Sequence, residues 1–254
     1  MRLSKKICKL IFNSFPFLQR YNLRLSRFVL EEIKSRHVEL SGLFSMDDAQ
    51  GIANDKLLDL SLSIIDRARK TNLTLLKERN APDLVHTWPG EHYKLLCALV
   101  EELQPSTIIE IGTYTGLSVL AMMPSLPKHS KLVTFDILPW QKIENSFLQP
   151  QDFNDGRLSQ VISDLTQIEN AKKHASLLQS ADLIFIDAAK DGFMEKILFE
   201  NLSEIGLKKN ALIVFDDIRL WNMLAFWREI SLPKLDLTSF GHWTGTGLVD
   251  WNVD

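Results

Sequence analysis

Only two cysteines, Cys8 and Cys97, occur among the 254 residues. Thiols so few and so scattered build neither a disulfide framework nor a metal knuckle. Reduced thiols fit the cytoplasm, and Cys97 falls in an apolar helical run that reads as core. No apolar stretch is long enough to span a bilayer, because Lys9 and Pro16 break the one near the N-terminus. No small-residue cleavage site follows it, which argues against a secretory signal. Internal repeats, low-complexity tracts and glycine-serine linkers are absent as well. A net charge of -3 lacks the positive excess that draws a protein to nucleic acid, so no nucleic-acid partner is expected.

One more absence is local. Residues 1–30 carry Arg2, Lys5, Lys6, Lys9, Arg20, Arg24 and Arg27 with no Asp or Glu, interleaved with Ile7, Leu10, Ile11, Phe12, Phe15, Phe17 and Leu18. A basic amphipathic segment suits an anionic membrane surface or a second subunit of a homodimer, and equally an arm packed on its own domain. The expected location is therefore cytoplasmic, peripheral to a membrane in the first case.

The remainder has the 45% hydrophobic and 24% charged residues of an ordinary globular chain, enough for one domain and a modest appendage. Ser45 to Asp48 has capping-box spacing. Leu58, Leu62, Ile65 and Ala68 recur at three and four, which predicts a helix from about Asp55 to Glu78. Residues 1–80 are thus expected to form a basic, mainly helical extension, and residues 81–254 the main domain. After a helix ending before Pro105, apolar strands alternate with helical patterns. The predicted strands are Thr107–Ile111, Lys131–Asp136, Leu158–Ser163, Asp182–Asp187, Ala211–Asp216, Leu235–Phe240 and Gly247–Trp251. Such alternation predicts an α/β, Rossmann-like doubly wound seven-stranded sheet, mostly parallel. The short link between the last two strands predicts a C-terminal antiparallel hairpin at its edge.

The first strand runs into Gly112-Thr-Tyr-Thr-Gly116 and then a short helix. This is the turn that lets backbone approach a nucleotide-like ligand. Tyr114 stands where a dinucleotide turn has its second glycine, so a smaller nucleoside ligand fits better. The strand ends carry acids: Glu110 before the turn, Asp136 at the spacing suited to a ribose diol, Asp164 within reach of an adenine edge. Asp187, Asp216 and Asp217 end the fourth and fifth strands, close enough to converge. Crowded carboxylates repel unless a cation offsets them. All-oxygen donors with no His or Cys nearby select magnesium, manganese or calcium. Lys190, three residues after Asp187, would have its pKa lowered by burial and by the charge of a metal and a cationic ligand, and could then accept a proton.

Glu110-Ile-Gly-Thr-Tyr-Thr-Gly-Leu-Ser118 resembles the first motif of class I S-adenosylmethionine-dependent methyltransferases, in the form found in metal-dependent catechol and caffeoyl-coenzyme A O-methyltransferases. Phe185-Ile-Asp-Ala-Ala-Lys-Asp191 and Phe215-Asp-Asp-Ile218 resemble that family's fourth- and fifth-strand motifs, and the likeness covers roughly residues 84–220. It implies S-adenosylmethionine held by Thr87, Trp88, Glu110, Gly112, Tyr114, Ser118, Asp136, Asp164 and Asp187. It also implies a divalent cation, magnesium first, on Asp187, Asp216 and Asp217. The implied catalytic residues are Lys190, as base, and Asp187. Asp217 replaces the usual Asn, as in related sugar O-methyltransferases. The tail from Ser239 to Val249 departs from the catechol pattern, so the resemblance does not define the acceptor. The implied reaction is methyl transfer to one hydroxyl of a vicinal diol or catechol-like small molecule, with Trp221, His242 and Trp243 lining the acceptor pocket. The alternatives are a metal-independent methyltransferase and a membrane- or partner-docking protein with a methyltransferase fold. A nicotinamide-dependent oxidoreductase shares the alternation, but Tyr114 and the acid-rich fourth and fifth strand ends argue against it.

Overall fold

Strand β1 (Thr107–Ile111) is buried along its whole length, and its side chains feed two separate cores: Ile108 enters one, Ile109 and Ile111 the other. Strands β4 (Leu183–Ile186) and β5 (Ala211–Asp216) alternate in the same way, Phe185 and Val214 to one side, Ile184 and Phe215 to the opposite side. Period-two alternation with apolar residues on both faces is what a sheet covered on both sides requires. This computed structural model describes residues 54–252. The basic arm 1–30, Cys8 and the capping-box segment Ser45 to Asp48 lie outside the described residues.

With β2 (Lys131–Asp136), β3 (Leu158–Ile162), β6 (Lys234–Asp236) and β7 (Thr246–Trp251), the sheet has seven strands in the order β3-β2-β1-β4-β5-β7-β6. The pairs among β1 to β5 are parallel, while β7 runs antiparallel to both β5 and β6. The expected doubly wound sheet with a C-terminal hairpin is therefore present. Its last strand sits inside its partner, and β6 forms the edge. β6 stops at Asp236 rather than continuing to Phe240, because the Asp236 carboxylate accepts from the backbone N–H and hydroxyl of Thr238 and turns the chain.

Helices α1 (Asp55–Lys70), α2 (Thr74–Glu78), α3 (Tyr93–Leu103) and α4 (Leu117–Met122) pack on one face. On the other lie α5 (Ile168–Lys173), α6 (Ala175–Gln179), α7 (Met194–Ile205) and α8 (Met223–Glu229). Gly206 closes α7 as expected, its N–H donating to the Leu202 carbonyl at 3.0 Å with φ +76°. Among the described residues, no helix is long and apolar enough to cross a membrane.

Two sequence expectations change at α1. The single helix from Asp55 to Glu78 is broken at Thr71, whose extended backbone ends α1, and a β-branched Thr followed by Asn offers little helical preference to resist the break. The buried face is Leu57, Leu60, Ile64 and Ala68, whereas Leu58 and Leu62 face outward. Both stripes have helical spacing, and the choice between them is made by what α1 meets, namely α3 and the Asp250 carboxylate. Asp250 accepts from Asn54 at 2.9 Å and also pairs with Lys56. Ile64 is wholly buried and Leu62 is 70% exposed. Ile64→Ala should accordingly cost about 2–5 kcal/mol in urea unfolding, whereas Leu62→Ala should stay within about 0.5 kcal/mol of the parent. Equal losses in the two variants would refute this packing of α1.

Candidate active site

Order reverses between β1 and β4: β2 and β3 lie on one side of β1, β4 and β5 on the other. That switch point opens a crevice off the carboxyl ends of the strands, the usual ligand position in such sheets. The register brings Ile111 beside both Phe135 and Ile186, so the glycine turn, Asp136 and Asp187 begin at one level. A cleft of about 400 Å³ opens there, lined in part by Gly112, Tyr114, Asp136, Asp164, Asp187 and Met194.

Gly112 has φ +106°, and a Cβ at this position would lie 2.0 Å from the Asp187 carbonyl oxygen. The turn and the end of β4 touch through backbone alone, which only glycine permits. Asp136 clasps this turn: one oxygen accepts from the N–H groups of Thr113 and Tyr114 at 3.0 Å each, and the other from Leu138 N–H at 3.0 Å. Tyr114 projects outward from a left-handed backbone position, φ +39°, with its side chain 69% exposed. Asp164 accepts from the backbone and the hydroxyl of Thr166 at 2.9 and 2.6 Å, beside the same cleft.

The other expected ligand contacts are placed differently. Glu110 is fully buried beneath the turn, accepting hydrogen bonds from Ser118 Oγ and from Thr134 Oγ1. Glu110 and Ser118 do not line the cleft; they form a strut between β1, β2 and the start of α4. Burial pushes the Glu110 carboxyl up to about 8, the two hydroxyls opposing only part of it. Thr87 and Trp88 lie away from the cleft lining, just before Pro89, with Trp88 packed on the α1–α4 core.

The acid cluster forms as expected. One carboxylate oxygen from each of Asp187, Asp216 and Asp217 lies within 4.8 Å of the other two. Asp216 and Asp217 are buried, and the left-handed backbone of Asp217, φ +57°, turns its side chain inward rather than into a helix cap. Lys190 Nζ stands among them, 3.0 Å from Asp187, 3.8 Å from Asp216 and 2.6 Å from Asp217. Burial would lower the Lys190 pKa, but these carboxylates outweigh it and hold the amine above the ordinary lysine range. The sequence expectation concerns a lysine beside a bound metal and a cationic ligand, where those charges and burial act to lower its pKa. Asp187 is pushed up to about 6, by burial and then by Asp216.

Three residues that matter here were missed or left unassigned. Glu195, buried at the start of α7, accepts from the N–H groups of Lys190 and Gly192 at 2.7 and 2.9 Å and so sets the lysine turn. The segment preceding α3 is strapped to the loop before β7: Gly90 N–H donates to Gly241 O, and Trp243 N–H to Gly90 O, both at 3.0 Å. That strap delivers His92 and His242 to Asp216, at 3.2 and 3.1 Å. The sequence reading of an acid cluster with no nearby histidine is therefore corrected. The two imidazoles come from segments far from β5 in the chain, and only their mutual pairing reveals them. Burial opposes Asp216 ionisation, yet His92 and His242 overcome it and hold that carboxyl well below the ordinary range. His242 in turn is raised to about 10: burial opposes this, and Asp216 and Asp217 prevail.

The site offers a divalent cation three convergent carboxylates, and Asp187 Oδ1 is buried without a hydrogen bond despite the nearby ammonium. That donor set fits a hard ion. A protein-family model described as O-methyltransferase matches residues 71–229. The chain belongs to the O-methyltransferase family. It is accordingly an S-adenosylmethionine-dependent methyltransferase. Among relatives, a caffeoyl-CoA O-methyltransferase of Zea mays is 29% identical over 200 residues, covering 75% of this chain and 72% of that protein. The catechol O-methyltransferase of Mus musculus is 26% identical over 125 residues, 49% of this chain and 46% of that one. A Bacillus cereus O-methyltransferase solved with SAH superposes with a TM-score of 0.50 at 19% identity, over 74% of this chain and 91% of the other. At that identity the likeness concerns the fold.

The Glu110 strut has a pH signature. Folded Glu110 keeps its proton to about pH 8, whereas an unfolded glutamate releases it near 4.5. The folded state therefore binds the extra proton between those values, and this contribution to stability, full below pH 4.5, is lost as the pH rises towards 8. Glu110→Gln, which can still bond both hydroxyls, should flatten the fall in unfolding free energy over that window by up to ~1.4 kcal/mol per pH unit. Urea melts at a series of pH values measure it, and parallel profiles for the two proteins would exclude a protonated Glu110.

Proposed function

We propose that this methyltransferase acts on a hydroxyl of a small vicinal-diol or catechol-like acceptor, with a divalent cation, magnesium first, on Asp187, Asp216 and Asp217 and with Lys190 as proton acceptor. What carries the reading is the placement of Lys190 Nζ within 3.8 Å of all three carboxylates, beside a cleft that shares Asp187 with them. Gly112, Tyr114, Asp136 and Asp164 would hold S-adenosylmethionine along the cleft, with Glu110 and Ser118 supporting the turn from below.

When bound, a divalent cation at this site supplies Lewis acidity that favours ionisation of an acceptor hydroxyl. Lys190 takes the proton; the acceptor oxygen then forms its bond to the methyl carbon as the carbon–sulfur bond breaks. For that role Lys190 must be neutral. Once the three carboxylates are engaged by a divalent charge, the attraction that keeps the ammonium protonated falls, and burial favours the free amine. The backbone clamp of Glu195 holds the lysine turn throughout, so proton transfer needs side-chain motion alone. Trp221 and Trp243, 77% and 72% exposed, flank this region in sequence and offer flat apolar surface to an aromatic acceptor.

Turnover of a catechol probe should vanish in chelator and return with magnesium, and Lys190→Met should lower kcat by roughly 10²–10⁴-fold with S-adenosylmethionine affinity little changed. Undiminished turnover in chelator would select the metal-independent enzyme instead.

The arm 1–30 we assign to an anionic membrane surface or a homodimer contact of a cytoplasmic enzyme; the expected boundary at residue 80 does not hold, because α1 and α2 pack in the same core as the sheet. The arm's charge of one sign is the support for its assignment. Co-sedimentation with phosphatidylserine vesicles should fall at least several-fold when residues 1–30 are removed; equal binding by both proteins excludes the membrane role, and sizing of both decides the dimer.

A further inference from the structure

Beside Asp216 lies a second group of donors that methyl transfer does not use, His92 and His242, the latter with Nδ1 also 3.2 Å from Asp217 Oδ1 and 3.0 Å from Thr244 Oγ1. His92 is 3% exposed, and neither of its ring nitrogens makes a hydrogen bond. Its Nδ1 is 3.2 Å from Asp216 Oδ1, close enough for an ion pair but off the line of an N–H···O bond. His242 Nδ1 lies 3.1 Å from each Asp216 oxygen. The two rings meet edge-on with centroids 5.3 Å apart, and one donor atom from each of His92, Asp216 and His242 lies within 4.8 Å of the others.

A buried imidazole left without any hydrogen bond costs about 1–3 kcal/mol, so such groups are normally satisfied. A charged His92 serving only to neutralise Asp216 would point an N–H along the pair axis. Instead, two imidazoles and a carboxylate from three separate segments bring one donor atom each within 4.8 Å of the others, a spacing that ligands of one ion can have. Two nitrogens and one carboxylate are the donor set of zinc hydrolase centres and of other borderline first-row ions, and a poor set for magnesium, which takes oxygen.

We propose that His92, Asp216 and His242 form a second divalent-cation site, selective for a borderline transition-metal ion such as zinc, sharing Asp216 with the carboxylate site. Asp216 Oδ1 faces His92 while Oδ2 is the oxygen nearer Lys190. One carboxylate can thereby serve both sides. An ion there cross-links the segment before α3, the end of β5 and the loop before β7, tying down the wall on which Trp243 is carried. The inference depends on the placement of Asp216 and not on the acceptor or on the need for magnesium in turnover.

The test is a titration of the metal-stripped full chain, any affinity tag removed, with Co²⁺ alone, read by visible absorption. Wild type should show the bands of nitrogen-containing coordination, displaced by Zn²⁺ at equal concentration and retained in a hundred-fold excess of Mg²⁺. His92→Gln and His242→Gln should each weaken Co²⁺ binding by more than the ~10–100-fold that loss of an outer partner costs. Asp187→Asn, which touches only the carboxylate site, should keep the spectrum. The proposal is overturned if both histidine variants bind Co²⁺ like wild type, or if Mg²⁺ displaces it as readily as Zn²⁺. Should a histidine variant fail to fold, Cu²⁺ bound to wild type decides by electron paramagnetic resonance: coupling to nitrogen supports the site, and an oxygen-only signal overturns it. Chelation and magnesium rescue of turnover are read separately, so this site can fail while the methyltransferase reading stands.

Discussion

Asp216 is an ionised carboxylate buried at the carboxyl end of a central strand, and the surroundings are arranged to make that tolerable. An isolated charge in such a place would take up a proton instead. Here Lys190 approaches from β4, His92 from the segment before α3 and His242 from the loop before β7. Each of these segments is held in position by other contacts. Glu195 fixes the lysine turn, and the Gly90–Gly241 and Trp243–Gly90 hydrogen bonds join the two histidine-bearing segments. The electrostatic requirement of one side chain thus draws four distant parts of the chain to one point.

The opposite half of the crevice obeys a steric constraint. Gly112 meets the Asp187 carbonyl with no room for a Cβ, so the glycine turn packs directly on the backbone that carries the acid cluster. Asp136 holds the turn from the β2 side through two backbone N–H groups, and Glu110 braces it from below. Rigid contacts of this kind position reacting groups before any substrate arrives, which is where alignment contributes most to rate.

Much of this could be read from the sequence because it is local. Apolar runs closed by Gly112, Asp136, Asp187 and Asp216 mark both the strands and the ends of those strands, and parallel pairing brings those ends together. What could not be read depends on tertiary contact. The stripe at Leu58 and Leu62 and the one at Leu57, Leu60 and Ile64 are equally periodic, and only packing against α3 selects the second. Glu110 looks like a ligand from its place in the motif, yet its partners Ser118 and Thr134 turn it into a buried strut. His92 and His242 stand 150 positions apart, on segments without periodicity, and nothing in either segment alone points at Asp216.

Asp217 shows how these constraints combine. Compared with an amide at that position it adds a negative charge to a cluster that already repels itself, and its left-handed backbone stores some strain. Lys190, His242 and Thr244 all approach its carboxylate, so the added charge is matched locally. The lysine's ammonium is consequently held more firmly by this carboxylate than by the other two. An acid at this position therefore raises the demand for positive charge. A nearby imidazole from the loop before β7 answers it, and a bound cation would do so further, whereas an amide would ask for neither.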